Sequence, residues 1–198
     1  MSLKHSYTLI APFYDAVISR ATQRVRADNL KQLPAEGALD ILIDGIGTGL
    51  DLPHLPPNHR YTGVDLTPAM LRQAEKRRGA LALDLLQCDC QALPFPDRHF
   101  DHVVAHLILA VVPQPLIALQ EAARVLKPGG TLLVLDKFLR PGQKAPLRRL
   151  LTPLSRHIAT RMDVVFEDLL AQTPALRLES DRPVLAGGWF RALRLVKC

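Results

Sequence analysis

A glycine-rich turn at residues 44–49 constrains the fold of this 198-residue chain more than any other feature. The segment LDILIDGIGTGLDLPHL, residues 39–55, begins as an apolar strand and breaks into DGIGTG, after which we expect a helix. Glycines let the backbone turn sharply and approach a ligand closely. The first N–H groups of a helix have no partner within that helix. The pattern is typical of a nucleotide-binding loop, although glycine-rich turns also form plain loops.

The glycine spacing separates two kinds of nucleotide site. A dinucleotide-binding loop has the pattern G-x-G-x-x-G, but its third glycine position is Leu50 here, and the glycines alternate as G-x-G-x-G. The spacing disfavours a dehydrogenase that binds NAD, without excluding one. Asp65 ends a second predicted strand about 20 residues after the first glycine, where βαβ nucleotide folds use a carboxylate to bind the ribose hydroxyls. An aspartate at the end of a strand is also a common turn residue.

The remaining pattern predicts alternating strands and helices. Helices are expected near residues 12–33, from a cap at Thr67 with Pro68 in its first position, and before the stop signal KPGG at 127–130. Two further strands are expected around the glycine pair at 187–188. This alternation predicts a parallel sheet that binds its ligand at the carboxyl ends of the strands. The other strands are predicted near residues 39–44, 60–65, 83–88, 101–105 and 130–136.

Four motifs, in their order and spacing, resemble the class I S-adenosylmethionine-dependent methyltransferases: IDGIGTG, YTGVDLTPAML, CDCQALPFPDRHFD and RVLKPGGTLLV. The resemblance extends over nearly the whole chain. It implies an α/β, Rossmann-like fold with a mostly parallel seven-stranded sheet and helices on both faces. It also implies S-adenosyl-L-methionine as cofactor and S-adenosyl-L-homocysteine as product. We expect a single domain over residues 1–198, with a helical lid at 1–35 and a basic, helical, substrate-side segment at 137–172.

The resemblance also implies where the cofactor binds. Asp65 would hold the ribose, and His106 would lie under the sulfonium. The adenine would be flanked by Leu66 and Met70. Its amino group would be bound by Asp89, next to a backbone N–H of Cys90. The methionine part would be surrounded by the glycine loop, with Asp44, Gly45, Gly47, Thr48 and Gly49.

Methyl transfer requires mainly positioning and exclusion of water, because the sulfonium carbon is already electrophilic. If the acceptor is an amine, a base must first remove a proton from its ammonium form. His106 and Tyr14 are the candidate catalytic residues, and Asp15 is a further proton acceptor in reach of the same region. His106 is equally typical of a packed, hydrogen-bonded residue. Tyr14 belongs to SYTLIAPFYDAV, which forms a cofactor lid in the family but could equally pack an N-terminal helix.

The charge of the chain bears on the acceptor. Lysine and arginine number 25 against 19 acidic residues, which gives a net charge of +6. Three interpretations are open for a basic amphipathic segment that follows the fifth strand: a solvated helix face, contact with an anionic membrane, or binding of a phosphate. Nucleic acid is disfavoured because aromatic residues make up only 5% of the chain. The segment contains Arg140, Lys144, Arg148, Arg149, Arg156 and Arg161.

A finer resemblance concerns the substrate. SYTLIAPFYDAV, FDHVVAHLILAVVPQPLIAL and SDRPVLAGGWFRALRLVK are similar to segments of the soluble bacterial phosphatidylethanolamine N-methyltransferases. This implies N-methylation of a phospholipid headgroup amine by a cytoplasmic protein that docks on the inner membrane face. The alternatives are a methyltransferase for a quinone or another small molecule, and a cofactor-binding protein without turnover. The three cysteines, Cys88, Cys90 and Cys198, fit a reduced compartment, and their spacing predicts no metal site.

Overall fold

The computed structural model describes residues 22–142 and 163–198, which build a seven-stranded sheet flanked by helices. Short 3₁₀ turns occur at Leu52–His54 and Ala186–Gly188. In chain order the elements are α1 (residues 22–30), β1 (Asp40–Asp44), β2 (Arg60–Asp65), α2 (Pro68–Arg77), β3 (Ala82–Gln87), β4 (Phe100–His106), α3 (Pro115–Val125), β5 (Leu126–Lys137), α4 (Phe166–Ala171), β6 (Leu176–Leu185) and β7 (Phe190–Lys197).

The strand order in the sheet is β3-β2-β1-β4-β5-β7-β6. Strands β1 to β5 pair in parallel, whereas β7 runs antiparallel to both β5 and β6. The chain moves from β1 outward to β3 and then returns to place β4 on the other side of β1. Such a reversal opens a crevice beyond the carboxyl ends of the strands, which is where open α/β sheets bind their ligands.

Two apolar clusters cover the two faces of the sheet, as the alternation of side chains along a strand requires. In β1, Ile41 and Ile43 belong to one cluster, together with Leu30 of α1. Leu42 belongs to the other cluster, with Leu119 of α3. The central strands β1, β4 and β5 are buried on both faces over most of their length, so they read as continuous apolar runs rather than as alternating patterns. The predicted fold class is confirmed by this topology.

The predicted strands are confirmed, but one predicted helix is wrong. The glycine loop is followed by the 3₁₀ turn at Leu52–His54 and not by a full helix. The turn stops at Leu55, whose backbone is extended with φ −80° and ψ 139°. A residue that precedes a proline is disfavoured in the helical region, and Pro56 follows Leu55 directly.

The other helix ends follow their signals more closely. Helix α2 begins at Pro68 with Thr67 in the cap position, as predicted. Helix α3 ends at Val125, and the stop signal at 127–130 lies inside β5. The pairing register between β4 and β5 shifts there, between Phe100 and His102. The glycine stop signal therefore marks an irregular strand start and not a loop.

The N-terminal prediction is covered only in part by the structure. Residues 22–30 are helical, while the rest of the predicted helix before residue 22 lies outside the described residues. Within the described ranges, no helix combines the length and the apolar character needed to cross a bilayer.

Candidate active site

The glycine loop joins β1 to the 3₁₀ turn in a conformation that suits glycine. Gly47 and Gly49 have φ of +55° and +81°, in the left-handed region that other residues rarely adopt. A Cβ atom on Gly49 would lie 2.8 Å from Leu52 Cδ1 and 3.0 Å from Ala74 Cα. Neighbouring protein atoms therefore already occupy the space that a side chain at residue 49 would need. A Cβ on Gly47 would meet only the Gly45 carbonyl oxygen, at 4.0 Å. Gly47 therefore borders open space where a ligand can approach the backbone.

Asp65 connects the glycine loop to the start of α2. Its Oδ2 accepts a hydrogen bond from the Gly47 N–H at 3.0 Å, and its Oδ1 accepts one from the Thr67 N–H at 2.8 Å. Burial raises the pKa of this carboxyl, while the two backbone donors act in the opposite direction. A carboxylate has about four acceptor sites, so beside the two backbone donors and the Thr67 side chain it can still accept a hydrogen bond from a ribose hydroxyl. The ribose role of Asp65 remains a prediction that this geometry permits.

Asp44, at the end of β1, is the most unusual carboxyl group of the region. It is 1% exposed, and its Oδ1 has no hydrogen-bond partner in the described part of the chain. Burial, together with the nearby Asp65 and Asp89 carboxyls, raises its pKa to about 8. The residue lies behind the lining of the cleft and not in it. An unsatisfied buried carboxyl of this kind is compatible with a cationic ligand nearby, because positive charge would favour its ionised form.

A cleft of about 200 Å³ opens at the carboxyl ends of β1, β2 and β4. Leu66 lies in its wall and is 41% exposed, and Met70 lies beside it and is 6% exposed. The apolar side chains after β4 form the opposite wall. The predicted cofactor residues that line the cleft are Gly45, Gly47, Thr48, Asp65, Leu66, Met70, Asp89, Cys90 and His106. Of the predicted set, Gly49 lies behind the lining, as Asp44 does.

The part of the cleft after β3 carries Asp89, Cys90 and a residue that the sequence did not indicate, Gln91. The Asp89 carboxylate accepts hydrogen bonds from the Gln91 backbone N–H at 2.9 Å and from its side-chain Nε2 at 3.0 and 3.1 Å. Burial raises the pKa of the Cys90 thiol well above its usual range and that of Cys88 to about 11. Both thiols are therefore neutral at neutral pH.

His106 ends β4 with both ring nitrogens in hydrogen bonds. Its Nδ1 lies 2.9 Å from Asp51 Oδ1, and its Nε2 lies 2.9 Å from Asn29 Nδ2. Asn29 Oδ1 accepts a hydrogen bond from Gln32 Nε2 at 2.7 Å, which fixes the amide so that its NH₂ group faces the histidine. His106 is therefore assigned as the Nδ1–H tautomer, which donates to Asp51 and accepts from Asn29.

Asp51 links this histidine to helix α1. Its Oδ1 also accepts a hydrogen bond from Arg26 Nη1 at 2.9 Å, and the two side chains are 4% and 8% exposed. Burial alone would raise the pKa of Asp51, but His106 and Arg26 outweigh it and hold that pKa far below its usual range. Of this group, the sequence pattern indicated only the histidine. Asp51 follows the glycine loop by two residues, which is the one local signal that could have found it.

Several predicted site residues lie outside the described residues. They are Tyr14, Asp15, Lys144, Arg148 and Arg149, together with Arg156 and Arg161. Arg140 is described: its side chain is 52% exposed, and its Nη1 lies 3.8 Å from Asp181 Oδ2. An exposed ion pair at this distance contributes little to stability.

The strand order and the crevice beyond β1 and β4 define the class I, Rossmann-like nucleotide-binding architecture. Residues 39–134 match a family described as "Methyltransferase domain". The chain is 31% identical to a phosphatidylethanolamine N-methyltransferase of Cereibacter sphaeroides over 186 residues, 91% of each chain. It is 34% identical to a ubiquinone/menaquinone biosynthesis C-methyltransferase of Syntrophotalea carbinolica over 168 residues, 80% of this chain and 70% of that relative.

A solved structure shares the fold. An S-adenosylmethionine-dependent methyltransferase from Thermotoga maritima superimposes with a TM-score of 0.72 at 21% identity, over 99% of this chain and 100% of that one. The chain thus belongs to the S-adenosylmethionine-dependent methyltransferases. The enzyme class and the cofactor predicted from the motifs are confirmed.

Proposed function

We propose that this methyltransferase methylates the amine of a phospholipid headgroup of the phosphatidylethanolamine type. The observation that carries the proposal is the similarity to a phosphatidylethanolamine N-methyltransferase, which runs through 91% of both chains. An alignment of this extent includes the regions on the substrate side as well as the cofactor motifs, which all members of the class share. Fold alone would not support a substrate assignment.

The cleft suits the proposed reaction in its charge and its polarity. S-adenosylmethionine, when bound, supplies a methyl group on a positively charged sulfonium. Asp65 and Asp89 line the cleft that would hold this cation, and the Asp44 carboxyl lies behind its lining, near enough for both to raise its pKa. On the side of β4, the wall is apolar, with Leu107, Ile108, Val111, Val112 and Pro113. An apolar wall next to a charged one keeps water from the reacting groups and can accept the non-polar part of an acceptor.

A headgroup amine must lose a proton before it can attack. His106 remains the proposed proton acceptor at the carboxyl end of β4, but its Nε2 lone pair accepts the hydrogen bond from Asn29. The Asn29 contact must therefore be exchanged for one to the acceptor before His106 can act as a base. Tyr14 remains a proposed second catalytic residue on the N-terminal side. A pH profile of kcat for His106→Gln, which keeps a hydrogen-bonding side chain, tests the first assignment.

Peripheral contact with an anionic membrane is part of the same proposal. The charge pattern of residues 137–161, with Arg140, Lys144, Arg148 and Arg149, supports it. Such contact would bring the cleft to a lipid acceptor without a membrane-spanning segment. Binding to vesicles should then weaken with increasing salt, because electrostatic attraction is screened over about 10 Å at 0.1 M ionic strength.

A quinone-ring acceptor is the second candidate, and the similarity to the ubiquinone/menaquinone biosynthesis C-methyltransferase favours it. A cofactor-binding protein without turnover is the third. The discriminating experiment follows labelled methyl transfer from S-adenosylmethionine to three acceptors: phosphatidylethanolamine vesicles, phosphatidylcholine vesicles as matched control, and a demethylated quinol. Label in phosphatidylethanolamine vesicles alone supports our proposal. Label in the quinol alone contradicts our proposal and supports the quinone-ring acceptor. Binding of S-adenosylhomocysteine without any methyl transfer supports the cofactor-binding protein without turnover.

A further inference from the structure

The backbone bends sharply where the chain leaves β4, at Leu107. This residue has a φ of +59°, in the left-handed region that bulky residues rarely adopt. Its N–H donates a hydrogen bond to the Leu135 carbonyl oxygen of β5 at 2.7 Å. Backbone strain of this kind persists only where the surrounding structure fixes the conformation, and it is concentrated at functional sites. The segment between β4 and α3, residues 107–113, is named here the β4–α3 turn.

The β4–α3 turn forms the wall of the cleft that faces the glycine loop. Its residue Ile108 lies directly against Gly45, because a Cβ atom on that glycine would be 2.7 Å from both Cδ1 and Cγ1 of Ile108. Both residues line the cleft. The position of the turn therefore sets how closely this wall approaches the glycine loop. It also sets the space in which an acceptor can approach the methyl group of the cofactor.

Asp136 anchors the turn from the end of β5. Its Oδ2 accepts a hydrogen bond from the Ala110 N–H at 2.9 Å, across 26 positions of the sequence. Its Oδ1 accepts a hydrogen bond from the Lys137 N–H at 2.8 Å. Asp136 and Ala110 are both 0% exposed. Strand β5 thus holds the turn at two points, at its start through Leu135 and in its middle through Asp136.

A carboxyl group is costly at this position of β5. Alternate residues of a strand point to the same face, and Val134 and Phe138, the neighbours of Asp136 on its face, belong to the apolar core. Burial raises the pKa of Asp136, while the Ala110 N–H and Lys137 act in the opposite direction. An apolar side chain would avoid the cost of a buried polar group, but it could not accept a hydrogen bond from the buried Ala110 N–H. The carboxyl group therefore specifies where the turn lies.

We propose that Asp136 is a positioning residue for methyl transfer: through Ala110 it holds the β4–α3 turn at the distance from the glycine loop that an acceptor needs for in-line attack. Asp136 does not itself line the cleft, so it acts through the turn. Methyl transfer depends on such positioning, because a misplacement of about 1 Å can lower a rate about 100-fold. The inference rests on the binding of S-adenosylmethionine in this cleft, and it applies to an amine and to a quinone ring alike.

The variants remove the contact to Ala110 and keep the rest of the core. Asp136→Leu fills a similar space without an acceptor atom, whereas Asp136→Asn keeps one carbonyl oxygen that can accept from the Ala110 N–H. Thr131→Val is the matched control. It removes the 2.6 Å hydrogen bond between Thr131 and His102, which lies at the other end of β5 and away from the cleft.

The measurements are made on the full chain. They are amide hydrogen exchange at Ala110 by NMR, calorimetric titration with S-adenosylhomocysteine, and initial rates with phosphatidylethanolamine vesicles or the demethylated quinol, whichever the wild type methylates. We expect Asp136→Leu to lower kcat by about 10- to 100-fold, to speed the exchange at Ala110, and to bind S-adenosylhomocysteine nearly as tightly as the wild type. Asp136→Asn should recover most of the rate and of the protection from exchange. Thr131→Val should retain both.

The outcomes separate the inference from the assignments around it. If either kcat or the exchange at Ala110 is unchanged in Asp136→Leu, the role of Asp136 is contradicted. Equal losses of kcat in Asp136→Leu and Thr131→Val contradict it as well, because they indicate general destabilisation. A wild type that does not bind S-adenosylhomocysteine overturns the cofactor placement on which the inference rests.

Two further results have a defined meaning. If the wild type methylates neither acceptor, the proposed function fails, and the exchange at Ala110 with S-adenosylhomocysteine bound decides the role of Asp136. If Asp136→Leu does not fold, Asp136→Ala replaces it in the test, because a water molecule in the space left by the carboxyl group can accept the hydrogen bond from Ala110. We then expect kcat to fall by about tenfold, and an unchanged kcat contradicts the inference.

Discussion

Replacement of Asp44 by asparagine should stabilise the cofactor-free protein. The pKa of the buried carboxyl is raised from 3.8 to about 8, mainly by burial. At pH 7 the folded protein therefore holds a proton that the unfolded chain has lost. Each pKa unit corresponds to about 1.4 kcal/mol, so the difference of about three units between 3.8 and pH 7 costs the native state about 4 kcal/mol. Asparagine is similar in shape and has no proton to retain, so it avoids this cost.

The sign and the pH range of the effect follow from the same values. Between about pH 4 and pH 8, the native state binds more protons at Asp44 than the unfolded state does. Stability therefore falls as the pH rises through this range. The advantage of Asp44→Asn should be near zero at pH 4 and increase to at most about 4 kcal/mol at pH 7.

Urea unfolding of the cofactor-free protein at pH 4.5, 6 and 7.5 measures this difference directly. Asp84→Asn, at an exposed position of β3, is the control and should change the free energy of unfolding by less than about 0.5 kcal/mol. We expect Asp44→Asn also to bind S-adenosylmethionine more weakly, because an amide cannot ionise in response to the positive sulfonium as the Asp44 carboxyl can. A variant that is less stable than wild type at pH 7, or a difference that does not vary with pH, would refute the reasoning.

Three further substitutions test the site. Gly47→Ala should lower the free energy of unfolding by only about 1 kcal/mol, the strain of placing an alanine at a φ of +55°. In calorimetry it should lower the affinity for S-adenosylhomocysteine at least tenfold, because the added Cβ enters the cleft. Asp65→Asn places an amide NH₂ against a backbone N–H and should lower the affinity for S-adenosylhomocysteine by about tenfold. An unchanged affinity would contradict the assignment of Asp65 to the ribose. Asp51→Ala should lower the free energy of unfolding by about 3–5 kcal/mol at pH 7, since it leaves Arg26 buried without its carboxylate. This difference, measured by urea unfolding, should shrink progressively as the pH falls below about 4, because the stabilisation that comes from the lowered pKa of Asp51 is complete only above the unfolded pKa and is lost as the pH falls from there toward the folded pKa.

Local patterns predicted most of the framework. The apolar run of β1, the glycine turn and the aspartate at the end of β2 lie within 26 residues of one another, from Asp40 to Asp65. Their periodicity and turn chemistry are properties of short segments, so they can be read before the fold is known. The predicted helix after the glycine loop was wrong because Pro56 acted on the residue before it, and this local rule outweighed the expected helix.

The sequence by itself determined the sheet, the glycine loop and the class of cofactor, because each depends on spacings along one short stretch of chain. Only the tertiary structure decided the charge pattern of the cleft. Arg26 meets Asp51 across 25 positions, and Asn29 meets His106 across 77. No periodicity connects residues so far apart; their contact arises when α1 packs over the carboxyl ends of β1 and β4. The burial that raises the pKa of Asp44 is likewise a property of the assembled sheet, since desolvation requires every covering element to be in place.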